Sequence, residues 1–137
     1  MKDTNILIVG VGGQGTLLAS RILGRLAMNC GVDVKISEVH GMAQRGGSVV
    51  THVRFGYHVS SPLVERGQAD IILAFEKLEA YRWLPYLQEN GILVVNDQEI
   101  DPMPVIMGIS KYPEGLSQKL KFRCGQLAWI PGMKIAE

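Results

Sequence analysis

The run ILIVGVGGQGTLLASRIL, from Ile6 to Leu23, limits what this chain can fold into more than any other stretch. Asn5 to Val9 is a short, mostly apolar segment that closes on Gly10, as a parallel strand buried on both faces does. Glycines follow at Gly12, Gly13 and Gly15. From Gln14 to Asn29 the apolar residues take a helical period, with Leu18, Ile22, Leu26 and Cys30 four apart and Leu23 and Ala27 beside them. That stripe predicts the buried face of the first helix and places Cys30 on it as a packing residue. Gly31 ends the helix, and Val32 to Ile36 reads as a second strand. The unit spans roughly thirty residues, which suits a right-handed crossover.

Gly10, Gly12 and Gly15 satisfy G-x-G-x-x-G between a strand and a helix. Glycine there permits a tight turn and lets backbone N–H groups approach a phosphate at the positive end of the helix. Glu38, near the end of the second strand, stands where an acidic residue would take a ribose hydroxyl. The same glycines also serve close helix–strand packing with no ligand, and both readings stay open. No P-loop lysine follows, which disfavours nucleotide hydrolysis. No serine sits in a nucleophile-elbow context.

Farther along, SEVHGMAQRGGS (Ser37 to Ser48) is a polar, glycine-containing loop. SVVTHVRF alternates as a strand, and Gly56 offers a turn into YHVSS, which predicts a hairpin ended by Pro62. ADIILAF is a third buried strand, and EKLEAYRWLPYLQEN a helix that Pro85 kinks or ends early. ILVVN and PVIMGI read as fourth and fifth strands. The expected fold is α/β: one domain over residues 1–137, a Rossmann-like three-layer sandwich with a mainly parallel sheet and an antiparallel hairpin.

Composition excludes several classes. The 137 residues are 47% hydrophobic and 20% charged with a net charge of +1, so nothing electrostatic points to nucleic acid. No apolar run approaches ~20 residues, as a spanning helix needs. The two cysteines, Cys30 and Cys124, form no C-x-x-C, so no zinc site or iron–sulfur cluster is expected on this chain. Reduced thiols and no visible targeting segment suit a cytoplasmic protein.

The second loop carries more information than the first. Arg45, flanked by Gly46 and Gly47, lies at the carboxyl end of a strand, where open α/β sheets bind ligands. It suits a two-pronged grip on carboxylate or phosphate, or a salt bridge that braces the loop. His40 and His52 read as structural.

Taken together, GVGGQGTLLASRILG, KISEVHGMAQRGGSVVTHVRFG, SPLVERGQADIILAFEKLEAYR and VVNDQEIDP resemble the gamma-type subunits of 2-oxoacid:ferredoxin oxidoreductases, and most of all the indolepyruvate:ferredoxin branch. The resemblance runs in order to about Glu114, and EVHGMAQRGGSV is its most specific part. It implies a small subunit of a complex that oxidatively decarboxylates an aryl 2-oxoacid, transfers the acyl group to coenzyme A and reduces ferredoxin. Thiamine diphosphate and iron–sulfur clusters would belong to the large partner subunit, and no catalytic residue or metal ligand is expected here. Gly10, Gly12, Gly13, Gln14 and Gly15 would form one lip, and Arg45, Gly46 and Gly47 the other, of a ligand or interface site. The alternatives are a free-standing NAD(P)- or FAD-binding oxidoreductase, which would use Glu38, and a nucleotide-sensing module. Relatives of this kind run longer, so a C-terminal helix is expected to be missing, leaving apolar surface near Trp129 and Ile130 that invites self-association.

Overall fold

The computed structural model describes residues 2–12, 15–40 and 47–132, with the side chain of His40 excepted. Strand β1 (Thr4–Val11) leads to helix α1 (Thr16–Asn29), then β2 (Asp33–His40) and β3 (Ser48–Gly56). Strand β4 (Ala69–Ala74) and helix α2 (Lys77–Trp83) follow, with a 3-10 turn at Leu84–Tyr86. Strand β5 (Leu87–Asn96), helices α3 (Met103–Ile106) and α4 (Leu116–Arg123), and β6 (Leu127–Ile130) complete the order. The six strands lie in one sheet, β2-β3-β1-β4-β5-β6. Strands β1, β4, β5 and β6 pair in parallel, and β3 is antiparallel to both β1 and β2.

The sheet separates two cores. On one face Ile6, Ile8 and Val53 pack against Ala19 and Leu23 of α1. On the other, Leu7, Val9, Ile72, Leu93 and Val95 pack with residues of α2 and α4, including Ala80 and Leu120. This is the three-layer α/β sandwich that the strand–helix alternation predicts.

Several expectations are corrected in detail. No hairpin turns at Gly56: the antiparallel neighbours of β3 (Ser48–Gly56) are β2 and β1. YHVSS makes no strand, because β1 and β2 already occupy both edges of β3. The chain beyond Gly56 instead crosses the sheet face, held by Val59 N–H to Asp33 (2.9 Å) and by Arg54 to the Ser61 carbonyl (3.0 Å). The first crossover also skips a place: β3 sits between β1 and β2. PVIMGI forms a helical turn, α3, rather than a fifth strand. Pro104 has no N–H for a sheet ladder, yet fits the first turn of a helix. The edge beside β5 goes to Leu127–Ile130, which weak periodicity concealed. As expected, helix α2 stops before Pro85, but Leu87 to Asn90 then join β5.

The apolar stripe of α1 faces the wrong way for the prediction. Leu18, Ile22, Leu26 and Cys30 are all exposed, and the helix buries Thr16, Ser20, Gly24 and Ala27. Close approach to the sheet is the reason. At Gly24 a Cβ would come within 2.9 Å of Ile36 Cδ1, so the helix meets the sheet there through small residues, with Leu23 packed beside them. Gly31 does terminate α1, in the left-handed region at φ 77°. No helix among the described residues is long and apolar enough to cross a membrane. Near the far edge, Ile130 is 36% exposed, while Trp129 is half-buried with Lys77 Nζ 5.8 Å from its ring centre.

His52 has the structural role expected of it. Its Nδ1 accepts the Val64 N–H at 3.0 Å, which pins the crossing segment to β3. Burial pushes the imidazole below the usual histidine range. The unfolded chain therefore takes up a proton that the fold resists once pH falls below about 6.5. Stability from this group is complete above that value and is lost as pH falls through the lowered folded value. Melting temperature is expected to drop more steeply between about pH 7 and pH 5.5 in the wild type than in His52→Gln, whose amide oxygen can accept the same N–H. Parallel profiles would refute the assignment.

Candidate ligand and interface site

The crossovers leave the sheet on opposite faces from β1 and β4, through α1 and α2. The crevice beyond the carboxyl ends of these two strands is where open α/β sheets bind ligands. Backbone bonds set its floor: Phe75 N–H donates to the Val9 carbonyl at 2.9 Å and Gly12 N–H to the Gly47 carbonyl at 3.0 Å. The second bond ties Gly12, just after β1, to Gly47, just before β3.

Each candidate residue has a defined place or lies outside the described residues. Gly10 is buried within β1, opposite Val49, rather than in the turn. Gly12 follows the strand, and Gly15 caps α1 at φ 89°, a left-handed conformation that suits glycine. Gly47 closes the loop from the other side. Glu38 lies on β2 opposite Thr51 of β3. An intervening strand therefore separates it from β1, at ~4.8 Å per strand step. Gly13, Gln14, Arg45 and Gly46 lie outside the described residues.

The crevice opens into a cavity of about 460 Å³ lined by Val11, Gly47, Ser48, Glu79, Arg82 and Lys111, among others. Its wall holds a network that the sequence reading did not single out. Glu76, two residues past β4, is 1% exposed and caps α2 by accepting the Glu79 N–H at 2.9 Å. Its second oxygen accepts the Ile100 N–H at 3.1 Å and the hydroxyl of Tyr112. That hydroxyl in turn accepts the Leu78 N–H at 3.1 Å. Glu79 accepts the Ser48 hydroxyl at 2.7 Å and lies 3.5 Å from Arg82 Nε. Burial pushes the Glu79 carboxyl above its ordinary range, opposed by the Ser48 bond and Arg82. Burial, with the bond to Glu76, pushes the Tyr112 phenol upward too. The signal available beforehand was the pair of carboxylates three apart in EKLE, directly after a parallel strand. Nothing in the sequence marked Tyr112.

Chemically, the crevice offers apolar walls, two cationic side chains at Arg82 and Lys111, and a rigid carboxylate network already engaged by its own fold. Among the described residues no group of three or more His, Cys, Asp or Glu could hold a metal ion. Cys30 is exposed at the end of α1, and Cys124 is buried at the end of α4, in the opposite layer. These two thiols cannot share a cluster.

Comparison with known proteins adds to this geometry. Residues 5–137 match the family described as pyruvate ferredoxin/flavodoxin oxidoreductase. The chain is 49% identical over 113 residues to indolepyruvate oxidoreductase subunit IorB of Thermococcus kodakarensis, covering 82% of this chain and 56% of that one. It thus spans little more than half the length of such a relative. Among solved structures, pyruvate oxidoreductase subunit PORC of Thermotoga maritima superposes with a TM-score of 0.68 at 20% identity, over 99% of this chain and 66% of that one. The 2-oxoglutarate:ferredoxin oxidoreductase of Magnetococcus marinus, with 2-oxoglutarate, coenzyme A and succinyl-CoA bound, gives a TM-score of 0.60 at 18% identity. That match covers 89% of this chain and 21% of the larger one. At such identities the structural likenesses establish the fold alone.

Proposed function

The chain belongs to the pyruvate ferredoxin/flavodoxin oxidoreductase family, and from that premise we propose that it is the small subunit of a cytoplasmic indolepyruvate or arylpyruvate:ferredoxin oxidoreductase. The observation that carries this reading is the 49% identity to an indolepyruvate oxidoreductase subunit over 82% of the chain. The complex would convert a 2-oxoacid, coenzyme A and two oxidised ferredoxins into acyl-CoA, carbon dioxide, a proton and two reduced ferredoxins. Thiamine diphosphate and iron–sulfur clusters, held by the large subunit, would supply the electron sink and the electron path.

This chain's part is binding and assembly. The lips at residues 12–15 and 45–47 would border the coenzyme A path, with backbone N–H groups and the Arg45 guanidinium meeting phosphate oxygens. The bond from Gly12 to Gly47 supports this, because it makes one rim of two loops. Arg45→Ala is expected to raise the KM for coenzyme A about tenfold in the complex while kcat stays near wild type. An unchanged KM, with the complex still formed, would remove Arg45 from the path.

The free-standing NAD(P) or FAD reading has less support. It needs Glu38 beside the glycine loop, and β3 stands between them. The deciding experiment is co-expression with the large subunit, followed by indolepyruvate-dependent reduction of ferredoxin in the presence of coenzyme A. Activity that requires both chains and no NAD is expected. Tight NAD binding by this chain alone, with no complex, would overturn the reading.

A further inference from the structure

The outer face of α1 carries a row of large apolar residues that this fold leaves open. Leu18, Ile22 and Leu26 recur every fourth position and are 63%, 53% and 56% exposed. Single exposed apolar residues are ordinary, whereas a contiguous row on one helix marks an interaction surface. Leu18, Ile22 and Met28 of α1, with Val34 and Ile36 of β2, wall a groove of about 490 Å³. Gly24 lines its floor, where the helix lies tight against Ile36. Strand β2 is an edge of the sheet, so among the described residues no further strand covers that side.

The charge along the groove is of one sign. Among the described residues its remaining lining is Arg21 and Arg25, both exposed, with no carboxylate. Arg54 and Arg82, by contrast, are engaged by Asp3 and Glu79. We propose that this groove receives an amphipathic helix of the large subunit, with apolar residues set between Leu18, Ile22 and Ile36 and acidic residues flanking them to pair with Arg21 and Arg25. This rests on the small-subunit reading above and deepens it by naming the surface. A second copy of this chain fits less well. A two-fold contact places the same patch on itself, and the arginines of one copy would approach those of the other without counter-charges.

The test is assembly, read by gel filtration with mass determination after co-expression with the large subunit. Ile22→Glu and the double variant Arg21→Glu, Arg25→Glu are compared with wild type and Ile22→Val. All three positions being solvent-facing in the free chain, each variant is expected to keep the wild-type melting temperature. Recovered complex is expected to fall at least about tenfold with Ile22→Glu and with the double reversal, and to persist with Ile22→Val. Undiminished complex with both disruptive variants overturns the groove assignment and leaves the subunit reading standing. Failure of the wild-type chain to assemble overturns both. Sedimentation of the chain alone supplies a third arm: a dimer dispersed by Ile22→Glu gives the groove to a second copy and overturns the proposal.

Discussion

Replacing Glu76 with Ala is expected to destabilise the chain by about 3–5 kcal/mol, since each buried donor left unpaired costs ~1–3 kcal/mol. Three donors depend on this carboxylate: the N–H groups of Glu79 and Ile100 and the hydroxyl of Tyr112. They come from three separate segments, so the loss is both a helix cap and a tertiary tie. Denaturant unfolding followed by tryptophan fluorescence measures it. Glu76→Gln keeps one carbonyl oxygen and is expected to lose less. Tyr112→Phe removes a single donor and should cost less still. A loss for Glu76→Ala within ~0.5 kcal/mol, the range of ordinary surface changes, would mean that the network contributes nothing to holding the cavity wall.

A second large effect is expected at Leu7, and its meaning lies in a contrast. Leu7 is 0% exposed at the centre of β1, between β3 and β4. Leu7→Ala should cost about 3–5 kcal/mol, from lost transfer energy and the cavity left behind. Leu26→Ala, on the periodic stripe of α1, should change stability by no more than ~0.5 kcal/mol, because that side chain already faces solvent. Both are read from denaturant midpoints at constant m-value. Equal losses would return the stripe to the core and remove the ground for a docking groove.

The site was legible where residue type alone constrains the backbone. Glycine at position 15 takes a left-handed conformation that few other residues adopt, and Gly31 does the same after α1. The two glycine-containing loops could be placed at the carboxyl edge of the sheet from strand and helix order alone. The network of Glu76, Glu79 and Tyr112 was not legible, because a carboxylate in a charged-looking segment reads as solvated until a fold buries it. Tyr112 meets Glu76 across 36 residues of sequence, a distance no local pattern carries.

What the sequence by itself determined is the strand–loop–helix opening, the α/β class, the buried strands β1, β4 and the core of β5, and the family that its two loops resemble. These follow from local causes: runs apolar on both faces, glycine at turns, and proline at breaks. Tertiary structure decided the rest. It inserted β3 antiparallel between β1 and β2, which moved Glu38 one strand away from the glycine loop. It also turned the small side of α1 inward and its large apolar side outward. Periodicity reports that a helix has two faces, but the distance between helix and sheet decides which one is buried. Here that distance admits Ser20, Gly24 and Ala27 and leaves Leu18, Ile22 and Leu26 outside.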